Sequence, residues 1–250
     1  MIEQIVEKMR TLRLSNMARS FSERHGRGEF RQMSADEAIC LLVDDEWAAR
    51  QNKRLAVAIL KANFKPEGAC LENLRYQADR GFARADIAPF RGMEWIRTGA
   101  NVLLFGPTGA GKSYLAEAIC LEACRLGHTV QKLTFKRLLE EIRRARATGA
   151  YLKLAEKLCK VGVLLMDDFA MATLNENELA DLAEILEERS QRRPTVVTSQ
   201  YPMETWLERL PEPTMAEAIC DRLRHNAYVL NLKGISMRTT RSLPEEDKQK

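Results

Sequence analysis

Apolar residues recur every three to four positions over the opening segment, at Ile2, Ile5, Val6, Met9, Leu12 and Met17, which is the period of one helical face. The pattern breaks around residues 22 to 32. There Ser22-Glu23-Arg24-His25-Gly26-Arg27-Gly28 is polar, basic and punctuated by glycine, so an exposed turn between helices is expected. Ser34-Ala35-Asp36-Glu37 then fits a capping box, with the serine oxygen placed for an orphan backbone N–H and Glu37 reaching back. A helix is predicted from there to about Ala62. Pro66 and Gly68 end it, and Gly81, Pro89 and Gly92 mark an irregular connector as far as Gly99.

From residue 101 the pattern changes to short aliphatic runs alternating with longer amphipathic stretches, as in a parallel sheet covered by helices on both faces. Strands are predicted at Asn101 to Phe105, Thr129 to Phe135, Val161 to Asp167, Thr195 to Gln200 and Ala227 to Leu232, with helical stretches between them long enough for right-handed crossovers. The expected organisation is an all-helical N-terminal domain over residues 1–65, a connector over 66–99, an α/β domain with a five-stranded parallel sheet over 100–241, and a polar tail over 242–250.

Composition narrows the class. With 45% hydrophobic and 30% charged residues over 250 positions, the chain matches a soluble globular protein and neither a disordered, a collagen-like nor a disulfide-scaffold sequence. Six cysteines are scattered with no C-x-x-C pair; they are expected to be small buried thiols, and Cys120 and Cys124, without a neighbouring His, are not expected to hold zinc. Acid at Glu3 and bases at Lys8, Arg10 and Arg13 argue against a signal peptide. The longest aliphatic stretch, Val161 to Met166, falls far short of the roughly 20 residues that cross a bilayer. A cytoplasmic protein with no membrane partner is expected. The net charge of +4 is mild, so any nucleic-acid reading must come from where the bases cluster.

The strongest chemical signal is Gly106-Pro107-Thr108-Gly109-Ala110-Gly111-Lys112-Ser113, which fits G-x-x-x-x-G-K-[ST], follows an aliphatic strand and opens an alanine-rich helix. At average composition the four fixed positions arise by chance in a chain of this length with a probability on the order of one per cent, before the strand-loop-helix context is required. In such a loop the glycines let backbone N–H groups converge on phosphate, the helix N-terminus adds partial positive charge, Lys112 bridges β and γ oxygens, and Ser113 ligates magnesium. Tyr114, where a dinucleotide fingerprint would need its third glycine, completes the expected ATP-contacting set. About fifty residues on, Val161-Gly162-Val163-Leu164-Leu165-Met166-Asp167-Asp168 supplies a strand ending in carboxylates. Asp167 is the candidate for the metal side, and Asp168 for orienting or deprotonating the attacking water. A guanine-reading N-K-x-D is not matched by Asn231-Leu232-Lys233-Gly234, whereas a small-molecule kinase stays open on these motifs alone.

Further segments add to the P-loop: Asp45-Glu46-Trp47-Ala48-Ala49-Arg50, Thr195-Val196-Val197-Thr198-Ser199-Gln200, Asp221-Arg222-Leu223-Arg224 and Gly234-Ile235-Ser236-Met237-Arg238. With these the sequence resembles, over nearly its whole length, the IstB-like ATP-binding helpers of bacterial insertion sequences, relatives of the DnaC-like helicase loaders. The resemblance implies an AAA+ ATPase using ATP and Mg2+. It implies a polar sensor at the end of the strand between the P-loop strand and the acidic strand, which falls at Gln200 with Ser199 beside it. It further implies that Arg222 is an arginine finger reaching the nucleotide of a neighbouring subunit, and Arg238 a second sensor within its own. A finger in trans implies a homo-oligomer with ATP at its interfaces. The sequence ends shortly after Arg238, from which a chain without a full helical lid is expected.

Between the second and third strands, residues 131–160 hold nine Lys or Arg against three acids, a local balance of +6, while Glu176 to Glu188 is acidic. Segregated charge of this kind suits a phosphate backbone. Lys136, Arg137, Arg143, Arg144 and Arg146 are the candidate DNA contacts, and Arg10, Arg13, Arg19, Arg24, Arg27 and Arg31 form a second basic set that could instead grip a transposase or helicase. Few aromatics interleave with either set, so backbone contact with little sequence preference is expected. The expected function is an ATPase that assembles on duplex DNA and assists the transposase of its element; the alternatives are a replicative helicase loader and a scaffold for which ATP is only a structural switch.

Overall fold

In a computed structural model of the protein, the chain is described over residues 1–64, 68–74, 76 and 80–234. It forms two units, Met1–Val57 and Ala58–Lys250. In the first, α1 (Ile2–Thr11) and α2 (Ser15–Gly26) are followed by a 3-10 turn at Glu29–Gln32 and by α3 (Ala35–Ala62), which carries the chain out of the unit. The helical period of the opening residues is realised, but the first break comes at Arg13, which adopts φ 59°, and α2 runs through the polar stretch to Gly26. Gly28, at φ 72°, makes the turn expected there. The capping box is formed: Ser34 N–H donates to Glu37 Oε2 at 2.8 Å and Glu37 N–H to Ser34 Oγ at 3.3 Å. Glu46, buried on α3, accepts from Met17 N–H at 2.8 Å and Arg50 Nε at 2.7 Å, tying α2 to α3.

In the second unit, residues 80–99 are not merely a connector. They form the short helices α4 (Arg84–Ile87) and α5 (Glu94–Arg97), and the fully buried Phe90 packs edge-on against Trp95 and against Tyr228 of the last strand. The α/β body then alternates β1 (Asn101–Phe105), α6 (Lys112–Arg125), β2 (Val130–Thr134), α7 (Phe135–Ala147), α8 (Tyr151–Lys160), β3 (Val163–Asp167), α9 (Glu176–Arg189), β4 (Thr195–Ser199), α10 (Met203–Arg209), α11 (Pro213–Arg224) and β5 (Ala227–Asn231). All five predicted strands are present, each one or two residues shorter than its aliphatic run except β1.

The sheet is parallel throughout, in the order β2-β3-β4-β1-β5. Every residue of β1, β3 and β4 is buried, as helices on both faces require, and this explains why these strands show no polar alternation. Leu103, Leu164, Met166 and Val197 face one core shared with α7, α8, α9 and α11. Their alternate neighbours, among them Val102, Leu165 and Val196, are buried on the opposite face, where α6 crosses the sheet. Because β4 lies between β1 and β3, the loops that leave β1 and β3 meet over the tip of β4.

Candidate functional site

The loop after β1 has the geometry its glycines allow. Gly106, Gly109 and Gly111 adopt φ of 142°, 85° and 92°, in the left-handed half of the map that only glycine occupies at little cost. A Cβ on Gly106 would stand 2.3 Å from the Leu232 carbonyl, and one on Gly111 would stand 2.7 Å from Arg80 Nη2. The loop is thus packed on its outer side by the segment after β5 and by Arg80, whose Nη2 also donates to the Ala110 carbonyl at 3.0 Å. Pro107 and Thr108 are exposed at its crest, and Tyr114 is half-buried on the first turn of α6. Lys112, buried at the start of α6, donates to the Gly106 and Pro107 carbonyls at 2.8 and 2.9 Å, so its ammonium is held over the loop.

Asp167 ends β3 fully inside the protein, and three elements converge on its carboxylate. Ser113 Oγ donates to Oδ1 at 2.8 Å and Thr198 Oγ1 donates to the same oxygen at 2.5 Å, while Lys132 Nζ lies 3.5 Å from Oδ2. The two predicted magnesium ligands, Ser113 and Asp167, are therefore brought together from α6 and β3. Asp168 follows at φ 58°, a left-handed residue that is not glycine, and its N–H donates to Thr198 Oγ1 at 3.0 Å. At the end of β4, Gln200 accepts from Thr108 Oγ1 at 2.6 Å, which puts the predicted sensor against the crest of the P-loop.

Arg222 sits near the end of α11, paired with Glu187 of α9 and donating to the Ala218 carbonyl at 2.9 Å. The backbone there is fixed by buried Asn101, whose Nδ2 donates to the Arg222 and Leu223 carbonyls at 3.0 and 3.1 Å. Arg238 lies outside the described residues. Of the five candidate DNA contacts, all on α7, Lys136 and Arg137 are exposed and pair along their own helix with Glu140 and Glu141. Arg143 and Arg146 reach instead to buried carboxylates of α9, Glu178 and Asp181, and Arg146 also stacks on Tyr151 at 3.5 Å from the ring centre. The Arg143 bond holds the Glu178 carboxyl below its usual pKa. Arg144, with Lys153 and Lys157, lines an open cleft of about 240 Å³ between α7 and α8.

Four residues at this centre were not singled out by the sequence: Thr198, Lys132, Glu117 and Arg80. Thr198 carries a readable signal, a hydroxyl residue within an aliphatic buried strand. The cysteines are free, but only Cys120, Cys124 and Cys220 are buried as expected, with Cys40 exposed and Cys70 and Cys159 half-buried; burial pushes the thiol of Cys120 well above its usual pKa and that of Cys124 up to about 11, which leaves both inert. Among the described residues no cluster of three or more His, Cys, Asp or Glu could hold a metal on its own. Ser113 and Asp167, brought together, offer the hydroxyl and carboxylate that a small hard cation carried by a ligand's phosphates would take. Among the described residues, no helix is long and apolar enough to cross a membrane.

Residues 7–244 match the family of IstB-like ATP binding proteins. An insertion-sequence ATP-binding protein of Sinorhizobium fredii is 39% identical over 233 residues, covering 93% of this chain and 95% of the relative. The ATP-binding protein of the insertion sequence IS1162 from Pseudomonas fluorescens is 38% identical, covering 82% and 89%. Among solved structures, DnaI aligns with a TM-score of 0.56 at 24% identity, over 68% of this chain and 95% of that one. The DnaC helicase loader aligns with a TM-score of 0.55 at 16% identity, over 66% and 97%. At these identities the likeness shows the fold, which is that of AAA+ proteins. With its P-loop built as described and its match spanning nearly the whole sequence, the chain belongs to the IstB-like ATP-binding protein family and is a P-loop ATPase of the AAA+ fold.

Proposed function

We propose that this ATPase hydrolyses ATP with Mg2+, assembles with copies of itself on duplex DNA, and assists the transposase of an insertion sequence. The observation that carries the catalytic part is the direct bond from Ser113 to Asp167, which joins the phosphate-binding loop to the acidic strand. When bound, Mg2+ neutralises developing charge on the β and γ phosphates. The loop N–H groups and Lys112 would hold those phosphates, Ser113 and Asp167 would hold the cation, and Gln200, which accepts from Thr108, would sense the γ-phosphate. Asp168 takes the proton of the attacking water or orients it. Arg222 completes the site of an adjacent subunit, exchanging Glu187 for phosphate, and Arg238 serves as the second sensor within its own subunit.

A finger in trans supplies about 10³ to 10⁵ in rate, so an isolated subunit turns over slowly. Family membership and the insertion-sequence relatives support the transposition role. DNA contact is supported by Lys136, Arg137, Arg143, Arg144 and Arg146, all exposed on α7, although Arg143 and Arg146 are engaged with carboxylates of α9. The test is the ATPase rate against protein concentration without DNA, with long duplex and with single strands. A rate rising faster than linearly, and further with duplex, is expected. Stimulation by single strands alone would favour a helicase loader, and a rate unaffected by concentration, DNA and Asp168→Asn would leave only a nucleotide-binding switch.

A further inference from the structure

Lys132 and Glu117 form a buried ion pair behind the nucleotide site. Lys132 Nζ lies 2.5 Å from Glu117 Oε1, and their side chains are only 8% and 4% exposed. Lysine is almost never buried at this level without a specific partner. Nor does stability alone account for the pair, since well-packed apolar residues in place of a buried ion pair are often as stable or more so. Val130, Val163 and Leu165, on the same face of the sheet as Lys132, are apolar and buried, so an aliphatic side chain at position 132 would suit its surroundings.

What the pair reaches is Asp167. Lys132 Nζ stands 3.5 Å from Oδ2, on the oxygen opposite to the one that accepts from Ser113 and Thr198. The carboxylate thus has two hydroxyl donors on one oxygen and an ammonium beside the other, which disfavours its rotation about the terminal bond. Glu117 offsets the lysine charge, so the three groups together keep a net charge of −1 with which to receive a cation. We infer that Lys132, oriented by Glu117, is a positioning residue that fixes the Asp167 carboxylate for the divalent cation of the bound nucleotide. This rests on the reading that Asp167 serves a Mg2+-nucleotide site. Partners behind a metal ligand typically contribute 10- to 100-fold to metal affinity.

The test uses the full chain with the double substitution Lys132→Met, Glu117→Gln. It removes one positive and one negative charge, so the net charge facing the cation is unchanged; Asp167 loses its lysine neighbour and keeps the Ser113 and Thr198 hydroxyls. Mg2+ is titrated against a fluorescent ATP analogue, and thermal unfolding is followed without nucleotide. The expected result is a Mg2+ midpoint raised about ten-fold, with unchanged analogue binding in EDTA and a melting temperature close to the parent's. Lys132→Met alone leaves Glu117 buried without its lysine and is expected to lose more stability than the double variant. An unchanged Mg2+ midpoint, or a double variant that does not fold, would overturn the inference, the latter because the pair would then act through the fold. A parent protein whose analogue binding ignores both Mg2+ and Lys112→Ala would instead remove the nucleotide reading, and the inference with it.

Discussion

Thr198→Val is the sharpest test of how the site is held together, because valine keeps the shape of threonine and removes only the hydroxyl. That hydroxyl is fully buried, donates to Asp167 Oδ1 at 2.5 Å and accepts the Asp168 N–H at 3.0 Å. A hydrogen bond to a charged acceptor contributes about 1.5–3 kcal/mol, and a buried N–H left without a partner costs about 1–3 kcal/mol. The two share one oxygen and do not add in full, so a loss of about 2–4 kcal/mol is expected. For a unit of this size each kcal/mol moves the melting temperature by about 2–4 °C, so Thr198→Val is expected to melt roughly 5–15 °C below the parent. Thr198→Ser, which keeps the hydroxyl and loses one methyl, is expected to cost only about 1 kcal/mol. Circular dichroism melts of the nucleotide-free chain give the stabilities, and steady-state phosphate release gives the rate. Turnover is expected to fall in Thr198→Val beyond what unfolding explains, since Asp168 holds its left-handed backbone against that hydroxyl. A Thr198→Val protein that melts with the parent and hydrolyses ATP at its rate would refute the role given to β4.

Arg222→Ala is expected to lower ATP turnover by about 10³-fold or more while lowering the melting temperature by no more than about 4 °C, because its pair with exposed Glu187 is a surface contact of about 0–1 kcal/mol; nucleotide affinity and phosphate release measured on one preparation separate the two effects. Arg189, fully buried with its pKa pushed by burial down to about 10, donates to the carbonyls of Leu158, Val161 and Pro194, and of these Pro194 also accepts the Leu164 N–H; Arg189→Met would remove all three bonds, at about 1–3 kcal/mol for each acceptor left without a donor. That variant is expected to be among the least stable single changes in the sheet unit, which urea unfolding would show. Glu178 is held below its ordinary pKa first by Arg143, so its contribution to stability is present above the unfolded carboxyl pKa of about 4.3 and is lost as pH falls through the lower folded value. Arg143→Ala with Glu178→Gln is therefore expected to flatten the fall in stability below about pH 5, and equal slopes for variant and parent would count against it.

The inner strands β1, β3 and β4 were legible because parallel strands covered on both faces are buried at every position, and a run such as Val163 to Met166 has few other homes; the edge strands β2 and β5 are partly exposed and their runs are more polar. The phosphate loop was legible because glycine is needed where φ is positive, at Gly106, Gly109 and Gly111. Residues 80–99 were less so. Their glycines and prolines signal irregular backbone, which is what they form, yet Phe90 and Trp95 are buried there, and irregular backbone with aromatic anchors packs as firmly as a helix. Charge was the poorest guide. Lys132 counts as one more base in a basic run, and nothing local distinguishes it from Lys136 four positions on; only the strand at 130–134 turns one inward to Glu117 and leaves the other in solvent. Arg143 and Arg146 are drawn to α9 for a similar reason. They lie three apart on one face of α7, as Glu178 and Asp181 do on α9, and two matched spacings make two ion pairs.

Strand order explains why the residues proposed to sense the nucleotide lie where they do. The P-loop leaves β1 and the acidic residues leave β3, and β4 separates the two strands, so the tip of β4 touches both. Its last residues divide the work by the alternation of a strand. Thr198 faces Asp167 and Asp168, Ser199 points the other way to accept from Trp206 Nε1 of α10 at 3.0 Å, and Gln200 meets Thr108 of the loop. At the opposite end of the sheet, Asn101 of β1 accepts the Thr195 N–H of β4 at 2.8 Å while donating to the backbone of Arg222. The helix that carries the proposed finger is therefore anchored to the two strands that carry the loop and its sensor. A shift of β4 relative to β1 on nucleotide binding must strain either the Thr108–Gln200 contact or the Asn101 bridge. Arg222 lies at the α11 end of that bridge, its carbonyl held by Asn101 Nδ2.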